Sequence, residues 1–532
     1  MKQSIIDKPI PYFAATAAVL FMAIVAVYYG ADWWGLNAAP AWPGARLLLL
    51  RVNAALMLAF AGATLVCWLT WCGRRARLFF AGWAIAALLL YAAIWPGYLI
   101  SDSASALKYS MEFPFNLWLG FFTPFQTAAV LQLVPHIGAI TAFQLLMAAA
   151  VFAYACETIA AVTGKAIYAL LFAAVIVLNP ALVYNLGLQS RDTLFSLIVL
   201  WLAVFVIRLA HRRAGGLGLM LLAGGMAGLA AGVRSGDGWF VLLPLVVIVP
   251  WLVRSLRLSG AFLGAAATVA VVFTIVLPPL LGDPGDAFGY KVANTVNPLG
   301  YVMQNKFATD YGKNLDEIGK VVNTGKIREL QTPYEIAAWW SGGLILEGAS
   351  PAQRDAYMRH VSGYLRENVG VFMAGRVQTF AAATGLSEGG FKIDDLYGAN
   401  WPAQWIVPAK YNVDLSAGRP FPRLAAAAKG WFDRSAQFDP RLASGSALFW
   451  NVLPWIALLL AVIGFGPRVP GLRLAALLVF TRAPLVFLTA PASQFKYYLP
   501  VVLCGGFILA LAVAGLLRKQ PGAQPAPAAV SL

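Results

Sequence analysis

Charged residues stand at four places in this sequence where an apolar run meets a short polar loop. They are Asp102, the Arg191-Asp192 pair, Arg234 and Lys496. A carboxylate at the water boundary beside apolar walls can take a proton from a hydroxyl. Cations opposite it suit a phosphate, because they stabilise negative charge that develops on its oxygens. If these loops share one side of the protein, the residue types predict acid–base chemistry next to a phosphate site.

Each of these charges also has a structural explanation, which the sequence leaves open. Asp102 can be the N-cap of a short helix. Arg191 and Asp192 can be interfacial charges whose side chains reach for water. On a helix these two neighbours point about 100° apart, so they need not pair with each other. Arg234 can belong to a turn with a local ion pair to Asp237.

The composition shows which elements carry these loops. Of the 532 residues, 60% are hydrophobic and only 12% are charged, whereas a soluble domain carries about 25% charged residues. These figures exclude a soluble enzyme, a disordered chain and a small disulfide scaffold, and they indicate an all-α polytopic membrane protein. At about 20 apolar residues per helix, the sequence predicts about twelve transmembrane helices. They lie near 11–29, 47–72, 79–95, 138–160, 166–183, 193–210, 216–233, 239–253, 259–281, 446–466, 472–490 and 498–517.

Polarity divides the chain into four predicted parts. These are a transmembrane module (1–281) with catalytic outer loops at about 96–137 and 184–192, an extracytoplasmic domain (282–445, here called the outer domain), C-terminal transmembrane helices (446–517) and a disordered cytoplasmic tail (518–532). The outer domain is predicted to be mixed but mainly helical. Its amphipathic stretch 368–383 is expected along the membrane surface. Whether 113–135 spans, re-enters or lies on the membrane stays open.

The net charge of +16 is mainly a signal of orientation. The outer domain is nearly neutral, with 17 Lys and Arg against 16 Asp and Glu, so the excess lies in the membrane part. With the N-terminus inside, fifteen basic residues fall on the cytoplasmic ends of the predicted spans and six on the opposite short loops. Basic residues are enriched on the cytoplasmic side of membrane proteins. The bias therefore predicts cytoplasmic termini and a periplasmic or extracellular outer domain.

Short motifs stand in a characteristic order along the chain. They are Pro96-Gly-Tyr-Leu-Ile-Ser-Asp102-Ser, Asn179-Pro180 with Ser190-Arg-Asp-Thr-Leu-Phe195, Val233-Arg-Ser-Gly-Asp-Gly-Trp239, Tyr364-Leu-Arg-Glu-Asn-Val-Gly-Val-Phe372 and Phe495-Lys-Tyr-Tyr-Leu-Pro500. With this order and layout, the chain resembles the GT-C superfamily of polytopic membrane glycosyltransferases, which includes lipid A aminoarabinose transferases and protein O-mannosyltransferases. The resemblance covers roughly 95–250 and 361–511. Two extra helices precede the Asp102 loop, and Lys496 stands where many relatives carry Arg.

The resemblance implies a GT-C-like fold and an enzyme that moves a sugar from a polyprenyl-phosphate-linked donor to an acceptor hydroxyl. The acceptor would be a cell-envelope glycan, lipid or protein, and the location a bacterial inner membrane, in contact with the lipid bilayer and without nucleic acid. The implied site residues are Asp102 and Asp192 as catalytic groups, Arg191, Arg234 and Lys496 at the donor phosphate, and Lys108, Glu112 and Tyr497 at the substrate. No metal site or certain cofactor is implied, and a divalent cation is compatible with the chemistry.

Two other functions fit parts of the pattern. An O-antigen ligase or polymerase also has many spans and one large outer loop, but it would rely on Arg and His in that loop, where His360 is the single histidine. A membrane transporter would show related halves and polar breaks near mid-membrane, whereas only Arg482 lies deep in a predicted span. Weaker signals are the Trp339-Trp340 pair and Trp401, which can stack on sugar rings, and Asp394-Asp395, which favour a turn over a cation site.

Overall fold

The computed structural model describes residues 9–30, 44–111, 114–212, 216–234, 236, 238–283, 287–309, 311–334, 336–387, 418–438 and 445–517. Over these residues the protein is an all-α polytopic membrane protein. The described strands are two parallel dipeptides, β1 (Phe115–Asn116) and β2 (Gly282–Asp283), with Phe115 opposite Gly282. The predicted cytoplasmic tail, 518–532, lies outside the described residues.

Thirteen helices make up the described part of the transmembrane module. They are α1 (Pro9–Gly30), α2 (Gly44–Trp71), α3 (Arg74–Ile94), α4 (Ser101–Met111), α5 (Phe122–Leu133), α6 (Gly138–Thr163), α7 (Ile167–Leu178), α8 (Pro180–Gly187), α9 (Arg191–Arg212), α10 (Leu217–Val233), α11 (Trp239–Val253), α12 (Leu256–Val271) and α13 (Leu277–Leu281). A 3-10 helix, Leu117–Leu119, precedes α5, and a π-helical turn, Val272–Val276, joins α12 to α13.

The outer domain and the C-terminal part are helical as well. The outer domain holds α14 (Ala287–Gln304), α15 (Lys313–Gly319), α16 (Thr324–Glu329), α17 (Ala337–Trp340), α18 (Pro351–Glu367), α19 (Val369–Ala383) and α20 (Pro422–Ala436). The C-terminal part holds α21 (Gly445–Phe449), α22 (Leu453–Phe465), α23 (Leu472–Phe480), α24 (Arg482–Thr489), a 3-10 turn (Phe495–Tyr498) and α25 (Leu499–Leu516).

Nine helical stretches in the described residues are long and apolar enough to cross a membrane. They are Tyr12–Gly30, Gly44–Trp71, Arg74–Ile94, Gly138–Thr163, Arg191–His211, Leu256–Leu281, Gly445–Phe465, Leu472–Thr489 and Phe495–Leu516. Nine of the twelve predicted spans are thereby confirmed by length and composition. The other three coincide with α7 and α8, which meet at a bend of 73°, and with α10 and α11, of 17 and 15 residues.

Asn179 and Pro180 explain the bend between α7 and α8. Proline lacks a backbone N–H and starts helices more readily than it continues them. Asn179 has an extended backbone, and its Oδ1 accepts hydrogen bonds from the N–H groups of Ala181 (2.9 Å) and Leu182 (3.3 Å). The backbone donors that the break exposes are therefore satisfied within α8 itself.

The length of α5 settles part of the open question about 113–135. Its 12 residues reach about 18 Å at 1.5 Å per residue, against a hydrocarbon core of about 30 Å. Ten of those residues are buried among other helices. The helix therefore does not cross the membrane alone, and it packs inside the protein.

Helices α9 and α25 form the centre of the membrane part. In their most apolar windows 83% and 78% of the residues are buried, against 6% for the α1 span and 11% for α3. Both central helices start beside a candidate site residue, since α9 begins at Arg191 and the turn that carries Lys496 precedes α25. The fold thus places Arg191, Asp192 and Lys496 at the starts of two helices that lie mostly behind other helices.

Glycines let α10 and α12 approach each other closely. A Cβ atom added to Gly224 would lie 2.1 Å from the Phe262 carbonyl oxygen, and one added to Gly228 would lie 2.4 Å from that of Ala266. Small residues spaced by four allow such backbone contact between membrane helices. The α10–α12 pair therefore depends on these two positions having no side chain.

The outer domain has a hydrophobic core of its own, formed by α14 to α18 with residues such as Leu299, Val322 and Tyr364. Its helix α20 packs elsewhere. Phe432 of α20 belongs to the membrane core, with its ring centroid 5.9 Å from that of Tyr98 and 5.6 Å from that of Tyr184. Sequence polarity assigned α20 to the outer domain, whereas its apolar face is buried against the membrane module.

Candidate active site

A tight turn positions Asp102. Gly97 has a φ of 122°, a conformation that favours glycine, and a Cβ there would lie 2.0 Å from Thr141 Oγ1. The chain then enters α4, whose first turn carries Asp102. The side chain of Asp102 is 32% exposed. A solvent-reachable carboxylate thus stands at the start of a short helix, as predicted.

Hydrogen bonds join the Asp102 loop to the loop before Asp192. The Tyr98 N–H donates to Gly187 O (3.0 Å), and the Gln189 N–H donates to Tyr98 O (2.9 Å). Ser103 Oγ donates to the carbonyl of Gln189. Gln144 of α6 donates from its Nε2 to Leu186 O (2.7 Å) and Leu188 O (2.8 Å). The two loops therefore form one unit and hold Asp102 and Asp192 in a fixed relation.

Asp192 forms a buried ion pair with Arg234. Its carboxylate is 2% exposed, and Oδ1 accepts from Arg234 Nη1. Its backbone N–H donates to Ser190 Oγ (3.1 Å). Arg234 follows the last residue of α10, so this pair connects α10 to the start of α9. The local partner expected for Arg234, Asp237, lies outside the described residues.

Lys496 contacts Asp102, although the two residues are 394 positions apart in the sequence. Lys496 Nζ lies 2.5 Å from Asp102 Oδ2, and the lysine side chain is only 4% exposed. The adjacent Tyr497 ring lies under both basic groups, with its centroid 5.4 Å from Arg234 Cζ and 5.6 Å from Lys496 Nζ. Tyr497 thereby links the two ion pairs into one cluster.

Arg191 enters the same cluster without pairing with its sequence neighbour. Its Nη1 donates to the carbonyl of Leu119 (2.7 Å), in the 3-10 helix before α5. Its Nε is buried and has no hydrogen-bond partner among the described residues. Arg191 therefore has one N–H group that no described residue satisfies.

Burial and charge act in opposite directions on the pKa of Asp102. Burial raises it, but Lys496, Arg191 and Arg234 lower it by a larger combined amount, so that the pKa lies below its ordinary value. Cations favour the ionised form of a nearby carboxyl group. Asp102 is therefore a carboxylate at neutral pH.

Two predicted site residues, Lys108 and Glu112, have no described place in this cluster. Lys108 lies on α4, beyond Asp102, and forms no ion pair with the residues that the structure describes. Glu112 lies outside the described residues, as do Trp401, Asp394 and Asp395. The roles of Lys108 and Glu112 stay predictions.

The sequence analysis assigned no role to Arg482, which contacts Tyr497 of the cluster through its backbone carbonyl. The side chain is 2% exposed. Its Nε donates to Tyr497 O (3.3 Å), and its guanidinium lies 5.2 Å from the Phe195 ring centroid. An arginine within an apolar run needs a structural reason, and that signal was present in the sequence. The sequence did not show, however, that the arginine would bind the carbonyl of Tyr497.

Other candidates are engaged elsewhere. Nδ1 of His360 lies 3.0 Å from Asn314 Oδ1, between α18 and α15 of the outer domain. Trp339 stacks on Trp118, with centroids 5.1 Å apart. Within the described ranges, no group of three or more His, Cys, Asp or Glu side chains is arranged to hold a metal ion.

No protein-family model matches the chain, and no curated protein or solved structure matches it either. The chemistry of the cluster therefore rests on its own geometry: two carboxylates, three cations and one tyrosine, brought from four separate segments of the chain.

Proposed function

We propose that the protein is a membrane glycosyltransferase with a GT-C-like fold that uses a polyprenyl-phosphate-linked sugar as donor. The sugar would pass to an acceptor hydroxyl on an envelope glycan, lipid or protein. The observation that carries the proposal is the contact between Lys496 and Asp102 (2.5 Å). It joins a cation that would bind the donor phosphate to a carboxylate that would act as the base. The order of motifs along the sequence supports the same reaction class.

The charges of the cluster fit a donor with one phosphate group. Lys496, Arg191 and Arg234 all act on Asp102, and Arg234 also pairs with Asp192. These three cations and two carboxylates leave one positive charge. A sugar phosphodiester carries one negative charge, so its binding would neutralise the cluster.

Asp102 suits the role of general base. Lys496 engages Oδ2, and no described residue donates to Oδ1, which is left for an acceptor hydroxyl. Asp102 would take the hydroxyl proton as the acceptor oxygen attacks the anomeric carbon. The bond from that carbon to the phosphate oxygen breaks, its electron pair stays on the phosphate, and the configuration inverts.

The cations would stabilise the departing lipid phosphate. Negative charge grows on the phosphate oxygen as the glycosidic bond breaks, and preorganised donors lower the energy of that state. Arg191, whose Nε–H no described residue satisfies, would be such a donor. Lys496 would turn from Asp102 towards the phosphate when the donor binds, which also frees the base.

Replacement of Asp102 by asparagine tests the proposal. Asp102→Asn keeps the size of the side chain and removes the base, so turnover with a polyprenyl-phosphate sugar should fall by about 10²–10⁴-fold. Glu157→Gln is the matched control, because Glu157 pairs with Arg75 at the other end of the membrane helices. Turnover of Asp102→Asn near the wild-type rate would overturn the assignment.

The proposed setting is a bacterial inner membrane, with both termini cytoplasmic and the outer domain periplasmic. The bias of fifteen against six basic residues supports this orientation. A lipid-linked donor also requires a site that the bilayer can reach, and the cluster stands at the ends of membrane helices.

A further inference from the structure

The segment that carries Lys496 is held by a buried arginine of the outer domain. Arg376 of α19 is 2% exposed, and its Nη2 donates to the carbonyl of Ala490 (2.8 Å). Its Nε has no hydrogen-bond partner among the described residues. Burying a guanidinium is costly unless it makes strong hydrogen bonds. The bond that Arg376 makes fixes the point where the chain leaves α24 and turns towards Lys496.

A serine in the middle of this segment contacts the outer domain through both its hydroxyl and its backbone N–H. Ser493 is 1% exposed. Its Oγ donates to Thr379 O (3.0 Å) and also contacts Pro333 O, while its backbone N–H donates to Tyr334 O (3.3 Å). Two separate parts of the outer domain, α19 and the loop before α17, therefore meet at Ser493.

Asn297 of α14 ties these two parts together. Its Nδ2 donates to Thr332 O (2.9 Å), and its Oδ1 accepts from Thr379 Oγ1 (3.3 Å). Asn297 and Thr379 are both at least 95% buried. The polar groups that face Ser493 thus belong to one network inside the outer domain, and a shift of the domain would move the segment with it.

On the other side of Lys496, the chain is held by Arg482 through the carbonyl of Tyr497. The Lys496 backbone is therefore fixed from the outer domain before it and from the membrane part after it. A lysine needs this support more than an arginine would, because its ammonium is a point charge on a flexible stem without a planar fork to direct it. The position of Nζ then depends on the position of the backbone.

We infer that Arg376 and Ser493 are positioning residues, through which the outer domain sets the place of Lys496 in the phosphate site. The effect on donor binding rests on the proposed function. The claim that the outer domain fixes the Lys496 segment rests on the hydrogen bonds alone. The outer domain then completes the site from a distance, without a residue of its own at the reacting atoms.

Three variants and one control test this role. Ser493→Ala and Arg376→Met remove the donors, and Arg376→Lys restores one. Thr295→Val is the control, since Thr295 Oγ1 makes a buried contact of 2.7 Å with the Tyr357 hydroxyl, between α14 and α18 of the same domain. For the first two variants the donor KM should rise about fivefold to tenfold, as for the loss of one buried hydrogen bond. The acceptor KM should not change, and Arg376→Lys should recover most of the loss.

Amide hydrogen exchange of residues 490–498 supplies a readout that needs no activity. It should speed up in Ser493→Ala and Arg376→Met, and stay at the wild-type rate in Thr295→Val. The inference is overturned if the exchange of this segment is unchanged in both variants, or if exchange in α18 rises to the same degree and shows general loosening of the domain. If wild-type protein transfers no sugar from any polyprenyl-phosphate donor, the proposed function fails, while the exchange data still decide whether the outer domain holds the segment.

Discussion

At the scale of single residues, Asp102 illustrates how neighbouring cations keep a carboxyl group ionised at a membrane boundary. Solvent still reaches its carboxylate, yet three cations decide its protonation state. Because these cations come from α9, from the end of α10 and from the turn before α25, the ionised state of Asp102 depends on the packing of three separate helices. Loss of that packing would return its pKa towards that of an ordinary aspartate.

The lowered pKa of Asp102 has a consequence for pH dependence. A carboxyl group with a depressed pKa in the folded state stays ionised, and adds stability, at every pH above its unfolded value, and that contribution is lost as pH falls through the folded pKa. The acidic limb of kcat/KM should therefore lie below the ordinary aspartate pKa, about 3.9. Lys496→Gln should move the limb to higher pH, since Lys496 is the strongest of the three cations acting on Asp102.

Pre-steady-state or initial-rate measurements between pH 3 and pH 8 in stabilising detergent would locate the limb. Arg75→Gln is a suitable control, because it breaks an ion pair with Glu157 that is remote from the cluster. A limb that stays in place in Lys496→Gln would contradict the assignment of Lys496 as the main partner of Asp102.

Residue types predicted which residues belong to the cluster better than they predicted the ion pairs and hydrogen bonds that these residues form. Asp102, Asp192, Arg234 and Lys496 were expected near one another because each stands where an apolar run meets a loop, and the structure brings them together. The sequence neighbours Arg191 and Asp192 do not pair, since adjacent helical positions diverge and a backbone carbonyl takes the arginine. Which carbonyl an arginine meets depends on tertiary packing and has no signature in sequence.

At the scale of elements, the length of the apolar runs predicted the long helices. It did not predict a helix whose bend or position depends on particular side-chain contacts. The α7–α8 bend arises from one Asn-Pro pair inside an apolar run that looks continuous. The short helix α5 is apolar enough to suggest the membrane, yet it is buried in protein. Helix α20 has the polarity of a soluble helix and nevertheless covers Tyr98 and Tyr184. Hydropathy measures the average preference of a segment, while these placements depend on particular contacts.

The α10–α12 contact supports a test of helix packing. Gly224→Ala should destabilise the protein, because the added Cβ would lie 2.1 Å from the Phe262 carbonyl oxygen and force the helices apart, at a cost of about 1–3 kcal/mol. Gly225→Ala is the matched control, since its Cβ would meet no atom closer than 3.9 Å. Thermal unfolding in detergent should give a lower Tm for Gly224→Ala alone. Equal Tm values for the two variants would argue against close backbone contact.

At the scale of the whole molecule, the basic excess and the outer domain predict one orientation. Single cysteines at Ser362, exposed on α18, and at Lys165, exposed between α6 and α7, would test it in a background without the four native cysteines. In intact cells, a membrane-impermeant maleimide should label Ser362→Cys and reach Lys165→Cys only after permeabilisation. The reverse pattern would invert the topology, and with it the face of the membrane on which the proposed transfer would take place.

The central position of α9 and α25 has a further consequence for how the protein sits in its membrane. Changes in bilayer thickness are felt first by helices that border lipid, which tilt or bend to reduce hydrophobic mismatch. Here the α1 and α3 spans, with 6% and 11% of the residues in their most apolar windows buried, border lipid, whereas α9 and the span that holds the Lys496 turn and α25 lie mostly behind other helices. We therefore expect Arg191, Asp192 and Lys496, which stand at the starts of these two spans, to shift less with bilayer thickness than α1 and α3 do.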